Sequence, residues 1–510
     1  MLDRRQLLLA GAALAGGCAH DATPDAEADA QFRDAVDRMG ERSRRTRAFL
    51  LRRFDPRQLT AEGRVLYDAV LQGAEADAAL SEWEWGQSGA PYPVTHRTGA
   101  WRRAAEMRDE DKPNSARDVA RDTNRIAGHA ARGVIAPDFV LDAAIPAVEA
   151  AAARVRASEN ADYEPLAEAL ETQAAALQAQ RADAPSEAGV WRLPRGEEYY
   201  AQALQLQLGE EIDPRAAHLR AMERCRALQG EADVLLRAQG LTRGEVGERL
   251  RTLARDERYL YANNAAGKAQ AIADMNAALA RVRSLLAGVI NVADVQAEVR
   301  LLPAAQEANG AQGRRQGTNY LVDLGNIRGR PKWTLPSVVH HELIPGHILQ
   351  APYERAADAP DLQVRYAGGY PEGWAIYAEQ LADECGAFAG DPLARIGYLQ
   401  WMLFRMARVA VDTGIHVMRW SREQAIAQMR ALQGESIAFV SIEEDVTRFA
   451  AQPGVAAAQG LSALRIVEVR EETRRRAGAQ FDLARFHAGM LRFGPLSPPG
   501  LAQAARVAFP

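Results

Sequence analysis

The chain has 510 residues, 47% of them apolar and 25% charged, with a formal net charge of −5. That length supports a large buried core and two helical subdomains, and the composition is globular rather than disordered. No segment carries a dominant basic stripe, so nucleic acid is not an expected partner.

At the N-terminus, Arg4 and Arg5 precede an apolar stretch from Leu7 to Leu14, followed by Ala15-Gly16-Gly17-Cys18. This is the layout of an export signal, with an apolar run shorter than the ~20 residues a membrane span needs. Small residues before Cys18 resemble a bacterial lipobox, and the arginine pair resembles a twin-arginine signal. Cys18 is therefore the expected lipidation site and mature N-terminus, which would hold the exported protein to the envelope on the periplasmic side. The alternative is a removed signal with an incidental cysteine. The acidic, Ala-rich stretch that follows reads as a tether. The expected divisions are 1–18 signal, 19–32 tether, 33–195 N-terminal helical subdomain and 196–510 metal-site helical subdomain. Cys225 and Cys385 are the other two cysteines, too few and too far apart for a disulfide framework.

Residues 116–131, 143–156, 163–181 and 216–239 are rich in Ala, Leu, Glu, Gln and Arg, and are expected helices. Residues 298–302 and 319–324 are short β-favourable segments flanking a Gly-rich loop, and predict a small antiparallel pair. Within that loop Arg314-Arg315 reads as solvated charge. The fold expected is mainly α.

The informative stretch is His340-His341-Glu342-Leu343-Ile344-Pro345-Gly346-His347. Zinc peptidases of the His-Glu-x-x-His type place two histidines one helical turn apart, with the Glu acting on the metal-bound water. Here the second histidine comes two residues late, and on a straight helix positions six apart point ~240° apart. Pro345 forbids a straight helix and Gly346 permits a distortion, so a two-residue bulge would return His347 to the metal. His340, seven residues before His347, is the rival ligand. A third ligand is needed, and Glu372, in the first turn of the helix that Pro371 opens, is the candidate. Glu379 shares its face and is placed to hydrogen-bond a ligating histidine. The expected set is His341, His347 and Glu372 around one zinc, with Glu342 as general base.

From His341 to Gln350 the chain resembles, position for position, the His-Glu-x-x-Pro-Gly-His-x-x-Gln hallmark of the bacterial family called domain of unknown function 885. Glu372-Gly373-Trp374-Ala375 resembles that family's second motif, and is similar to the segment that supplies the third zinc ligand in aminopeptidase N-type enzymes. Further family-like stretches are Gly196–Tyr200, Val411–His416, Trp420–Ala425, Gln452-Pro453-Gly454, Phe481-Asp482-Leu483 and Phe486-His487. The resemblance implies a gluzincin-like helical fold with a deep cleft and peptidase activity on a peptide substrate. Where the family carries Gln-Ala-Leu-Ser-Tyr-Lys after Pro-Gly, this chain has Val455 and Gln459 in place of the Gln and the Tyr. If that Tyr steadies an oxyanion, its loss costs roughly 10²–10³ in rate, and a protein that only binds becomes the rival reading. His416 is the candidate substitute donor, and Arg470 the candidate partner of a peptide carboxylate. The strand at 319–324 is a candidate for pairing with an extended peptide.

Overall fold

The computed structural model describes residues 24–510 apart from 107–111, 159, 309–312, 436 and 438–440. The export signal and Cys18 lie outside the described residues. The chain is helical earlier than the tether expectation has it. Asp25 accepts a hydrogen bond from Ala28 N–H at 2.7 Å and caps a helix over Ala26–Met39, and Phe32 on that helix is fully buried.

The described residues are mainly helical. The elements that position the site are α1 (Gly63–Leu80), α2 (Pro214–Ala238), strands β1 (Glu298–Leu301), β2 (Arg314–Gln316) and β3 (Asn319–Val322), and helices α3 (Leu335–Glu342), α4 (His347–Ala357), α5 (Tyr370–Glu384), α6 (Pro392–His416) and α7 (Val455–Ala477). A single buried apolar cluster runs from Val65 to Phe509, so the segments on either side of residue 195 share core.

The sheet departs from the antiparallel pair that the sequence suggests. Its order is β1-β3-β2. β1 and β3 pair in parallel, Val299 opposite Tyr320, and the antiparallel neighbour of β3 is β2, with Arg315 opposite Tyr320. The arginine pair expected to be solvated loop thus forms a strand. With both its edges taken, β3 cannot accept a peptide strand, and any added strand would have to pair with β1 or β2.

Helix α6 is the axis of the site. Asp391 caps it, accepting from Ala394 N–H at 2.9 Å, and Pro392 suits its first turn. Nearly every residue from Ala394 to His416 is buried, the mark of a helix enclosed on all faces. It packs on α2, α3 and α7. Asp412, buried within it, accepts from Tyr200 Oη at 3.0 Å and from the backbone N–H of Gly454 and Ala457 at 3.0 and 3.1 Å, and so fixes the start of α7.

Two fully buried histidines brace this framework. Val190 N–H donates to Nδ1 of His416 at 3.1 Å, and its Nε2 meets the carbonyl of Phe449 at 3.0 Å. His487 binds Tyr377 Oη at 2.7 Å and the carbonyl of Val289 at 2.8 Å. Burial lowers both from 6.5 to about 4. Above pH 6.5 neither the folded nor the unfolded chain binds these protons. Between pH 6.5 and about 4 only the unfolded chain does, so acidification removes roughly 3 kcal/mol per histidine. Asp412, pushed up to about 6 by burial, runs the other way, because the folded chain takes its proton first. For these three groups together the expectation is a loss of about 3 kcal/mol on going from pH 7 to pH ~4.5, read as a lower urea midpoint. The lowered His96 and His340 act in the same direction. A midpoint that rises over that range would contradict the assignment.

Candidate metal centre

Helix α3 stops at Glu342, and Leu343 N–H makes its last bond, to Val339 at 3.0 Å. The sequence suggests a bulge in one helix; the structure has a full break over residues 343–346 and a new helix from His347. Pro345 cannot donate to the ladder, and Gly346 passes so close to α3 that a Cβ there would lie 1.8 Å from the carbonyl oxygen of His341. Trp374 Nε1 donates to the carbonyl of Pro345 at 3.0 Å and ties the break to α5. Gly346→Ala must therefore push the two histidine-bearing segments apart. It is expected to cost about 1–3 kcal/mol of stability and to weaken metal binding. A variant that titrates zinc like the wild type would show that this close approach is not needed.

The break brings His341 and His347 together, ring centroids 5.0 Å apart and nearly perpendicular at 89°. Glu372, in the first turn of α5, reaches both. Its Oε2 is 3.4 Å from His341 Nε2 and its Oε1 is 3.5 Å from His347 Nε2. One donor atom from each of the three lies within 4.8 Å of the others. Two ligands ~2.0–2.1 Å from a tetrahedral zinc stand ~3.3–3.4 Å apart, so these separations suit a shared ion better than direct hydrogen bonds.

The surroundings prepare the nitrogens. His341 Nδ1 meets Glu379 Oε1 at 2.9 Å, which leaves Nε2 facing Glu372. Glu379 is 1% exposed, and Ser337 Oγ donates to its other oxygen at 2.6 Å. Burial and Arg405 work against a proton on His341, yet the carboxylates of Glu372 and Glu379 prevail and hold its pKa above the ordinary value. Burial lowers that of His347, and its Nε2, although buried, has no hydrogen-bond partner among the described residues. A neutral imidazole with an orphaned nitrogen turned toward a carboxylate fits a metal ligand. Glu372, despite burial, is held well below the usual carboxylate range by the two histidines. The residues present fit a divalent zinc ion.

His340 is not part of this group. It packs against Phe388 at 5.4 Å and lines a separate cavity of about 440 Å³ with Trp333 and Tyr261. Glu342, the candidate base, has an ion-pair partner that the sequence did not suggest, Arg315 Nη1 at 2.5 Å.

Two sequence expectations need correction. His416 has backbone partners on both ring nitrogens and is fully buried, so it has no nitrogen to offer an oxyanion. Arg470 is not open to a peptide carboxylate. Its guanidinium holds Glu384 through two bonds, at 2.6 and 2.9 Å, and also meets Tyr377 Oη at 3.2 Å. Val455 and Gln459, both half-buried, lie in the first turns of α7, which packs on the Glu372 helix.

Arg405 and Arg408, one turn apart on α6 and 9% and 8% exposed, were not expected from sequence. Arg405 Nη2 lies 3.2 and 3.3 Å from the two ring nitrogens of His341, and its Nη1 is 4.0 Å from Glu372 Oε2. The available signal was two arginines three apart inside a strongly apolar 25-residue helix.

Solved structures share this fold, two of them lipoprotein candidates. A candidate lipoprotein of Colwellia psychrerythraea is 25% identical, with a TM-score of 0.77 over 95% of this chain and 91% of that one. A candidate lipoprotein of unknown function from Shewanella oneidensis is 19% identical, with a TM-score of 0.67 over 98% and 97%. No curated protein matches the chain significantly. No described helix is long and apolar enough to cross a membrane. The model of one bacterial family matches residues 12–504, nearly the whole chain, and the protein belongs to that family, described as bacterial protein of unknown function, DUF885.

Proposed function

We propose that the protein is a zinc-dependent peptidase of the gluzincin type, held to the bacterial envelope by a lipid on Cys18. The observation that carries the catalytic reading is the His341–His347–Glu372 triangle, with edges of 3.4 and 3.5 Å at Glu372 and an orphaned nitrogen at one corner. Bound there, zinc would supply a Lewis acid and lower the pKa of a water to about 7. The protein's own residues do the rest. Glu379 orients His341, and Glu342, adjacent in sequence but not one of the three ligands, takes the proton from the attacking water and returns it to the leaving amine. For that step Glu342 must exchange Arg315 for the water. The anchor is supported by the lipobox-like sequence before Cys18 and by the description of the Colwellia psychrerythraea protein.

A second reading is favoured by one contact. Glu342 is ion-paired with Arg315, and the chain lacks the family's Tyr at Gln459. A protein that keeps the metal site yet holds its base in a salt bridge would bind peptides without cleaving them.

Incubation with a mixed-peptide library, followed by mass spectrometry, separates the two. The peptidase reading expects fragments that vanish on chelation and return with zinc. No fragments from zinc-loaded protein would support the binding reading. In that case Gln459→Tyr with Val455→Gln should restore cleavage if the missing Tyr is the cause.

A further inference from the structure

Arg408 is buried, and among the described residues it lacks a full set of partners. Its guanidinium lies between Phe404 and Phe449, 5.1 and 5.8 Å from the ring centroids. Among the described residues its Nε has no hydrogen-bond partner, and the nearest carboxylate, Asp445 Oδ2, stands 3.8 Å away, beyond hydrogen-bond reach. Asp445, itself 2% exposed, has a second claimant, for Arg448 Nη2 stands 3.0 Å from Oδ1, off the line of a hydrogen bond. Two guanidinium groups therefore share one carboxylate that satisfies neither. A buried cation with unfilled donors is costly, and the anion that best fills the planar fork is another carboxylate.

The position of this cluster gives it a meaning. Arg405 touches the metal triad, and Arg408 lies three residues further along α6, a rise of ~4.5 Å on the same face. One residue of extended peptide spans ~3.3–3.6 Å. A peptide with its reacting carbonyl at the triad and its chain running along α6 toward His416 would bring a carboxylate one residue downstream to the level of Arg408.

We propose that Arg408 and Arg448, around Asp445, receive the free C-terminal carboxylate of a short peptide, so that the site removes one residue from the C-terminal end. The proposal rests on the peptidase reading and names its substrate class. Arg408 and Arg448 are binding residues here, and the carboxylate role expected for Arg470 passes to them.

The test is calorimetric binding to zinc-loaded Glu342→Gln protein, which removes turnover. Three probes are compared: acetyl-Ala-Ala-Ala as free acid, the same peptide as its C-terminal amide, and acetyl-Ala-Asp-Ala amide. The free acid is expected to bind about 10- to 100-fold more tightly than its amide, the range for one charged hydrogen-bonded contact. Adding Arg408→Gln or Arg448→Gln should largely erase the difference. Equal binding of acid and amide overturns the proposal. Binding of the Asp-containing amide as tightly as the free acid also overturns it, because the cluster would then read a side chain. If Arg408→Gln fails to fold, the acid–amide comparison and Arg448→Gln still decide. Failure of the underlying reading looks different. Acid-selective binding with no cleavage by the wild type would sink the peptidase and leave the carboxylate site standing. Wild-type cleavage of acid and amide at equal rates would do the reverse.

Discussion

Glu342→Gln should lower hydrolysis by roughly 10²–10⁴-fold while leaving zinc content and thermal stability close to wild type, because the substitution removes basicity and keeps shape. Glu342 is not among the three residues whose donor atoms converge, so the metal has no reason to leave. Its ion pair with Arg315 involves side chains 43% and 18% exposed, and pairs that open to water contribute little to stability. The same ion pair makes a companion change informative. If Arg315 restrains the base, Arg315→Ala should leave metal binding intact and raise turnover. Equal cleavage by wild type and Glu342→Gln would assign the proton transfer to another group.

His347→Ala is the second large effect. Removing one of the three proposed ligands leaves His341 and Glu372, and loss of tight zinc binding is expected. The readout is thermal. A ligand at 100 times its Kd stabilises the native state by about 2.7 kcal/mol, an upshift of a few degrees in a chain this long. Zinc should raise the Tm of the wild type and leave that of His347→Ala unmoved. His340→Ala, on the other side of α3, should still respond. If His340→Ala loses the response and His341→Ala keeps it, the choice of histidine is wrong.

The site was legible in sequence because its residues are local and its exceptions are chemical. His341 and His347 stand six apart, a spacing that only a broken helix reconciles, and Pro345-Gly346 announces the break. Glu372 and Glu379 stand seven apart on one face of α5. What sequence could not show depends on the third dimension. β1 and β3 are parallel, and the antiparallel neighbour of β3 is a third strand, Arg314–Gln316, on its other edge. Three exposed polar residues have no apolar alternation to reveal a strand. Arg405 and Arg408 would face water on an ordinary amphipathic helix, and only the enclosure of α6 buries them beside the triad. His416 and Arg470 sit at family-like positions, yet their partners, Phe449, Val190 and Glu384, lie 33, 226 and 86 residues away in the chain. Those contacts make them structural, and no local pattern carries that information.

The proposed peptidase depends on one zinc ion held between His341, His347 and Glu372. Elemental analysis of the purified wild type, after zinc supplementation and removal of excess metal, tests it most directly. The expected zinc-to-protein ratio is near one. A ratio near zero under those conditions would contradict it.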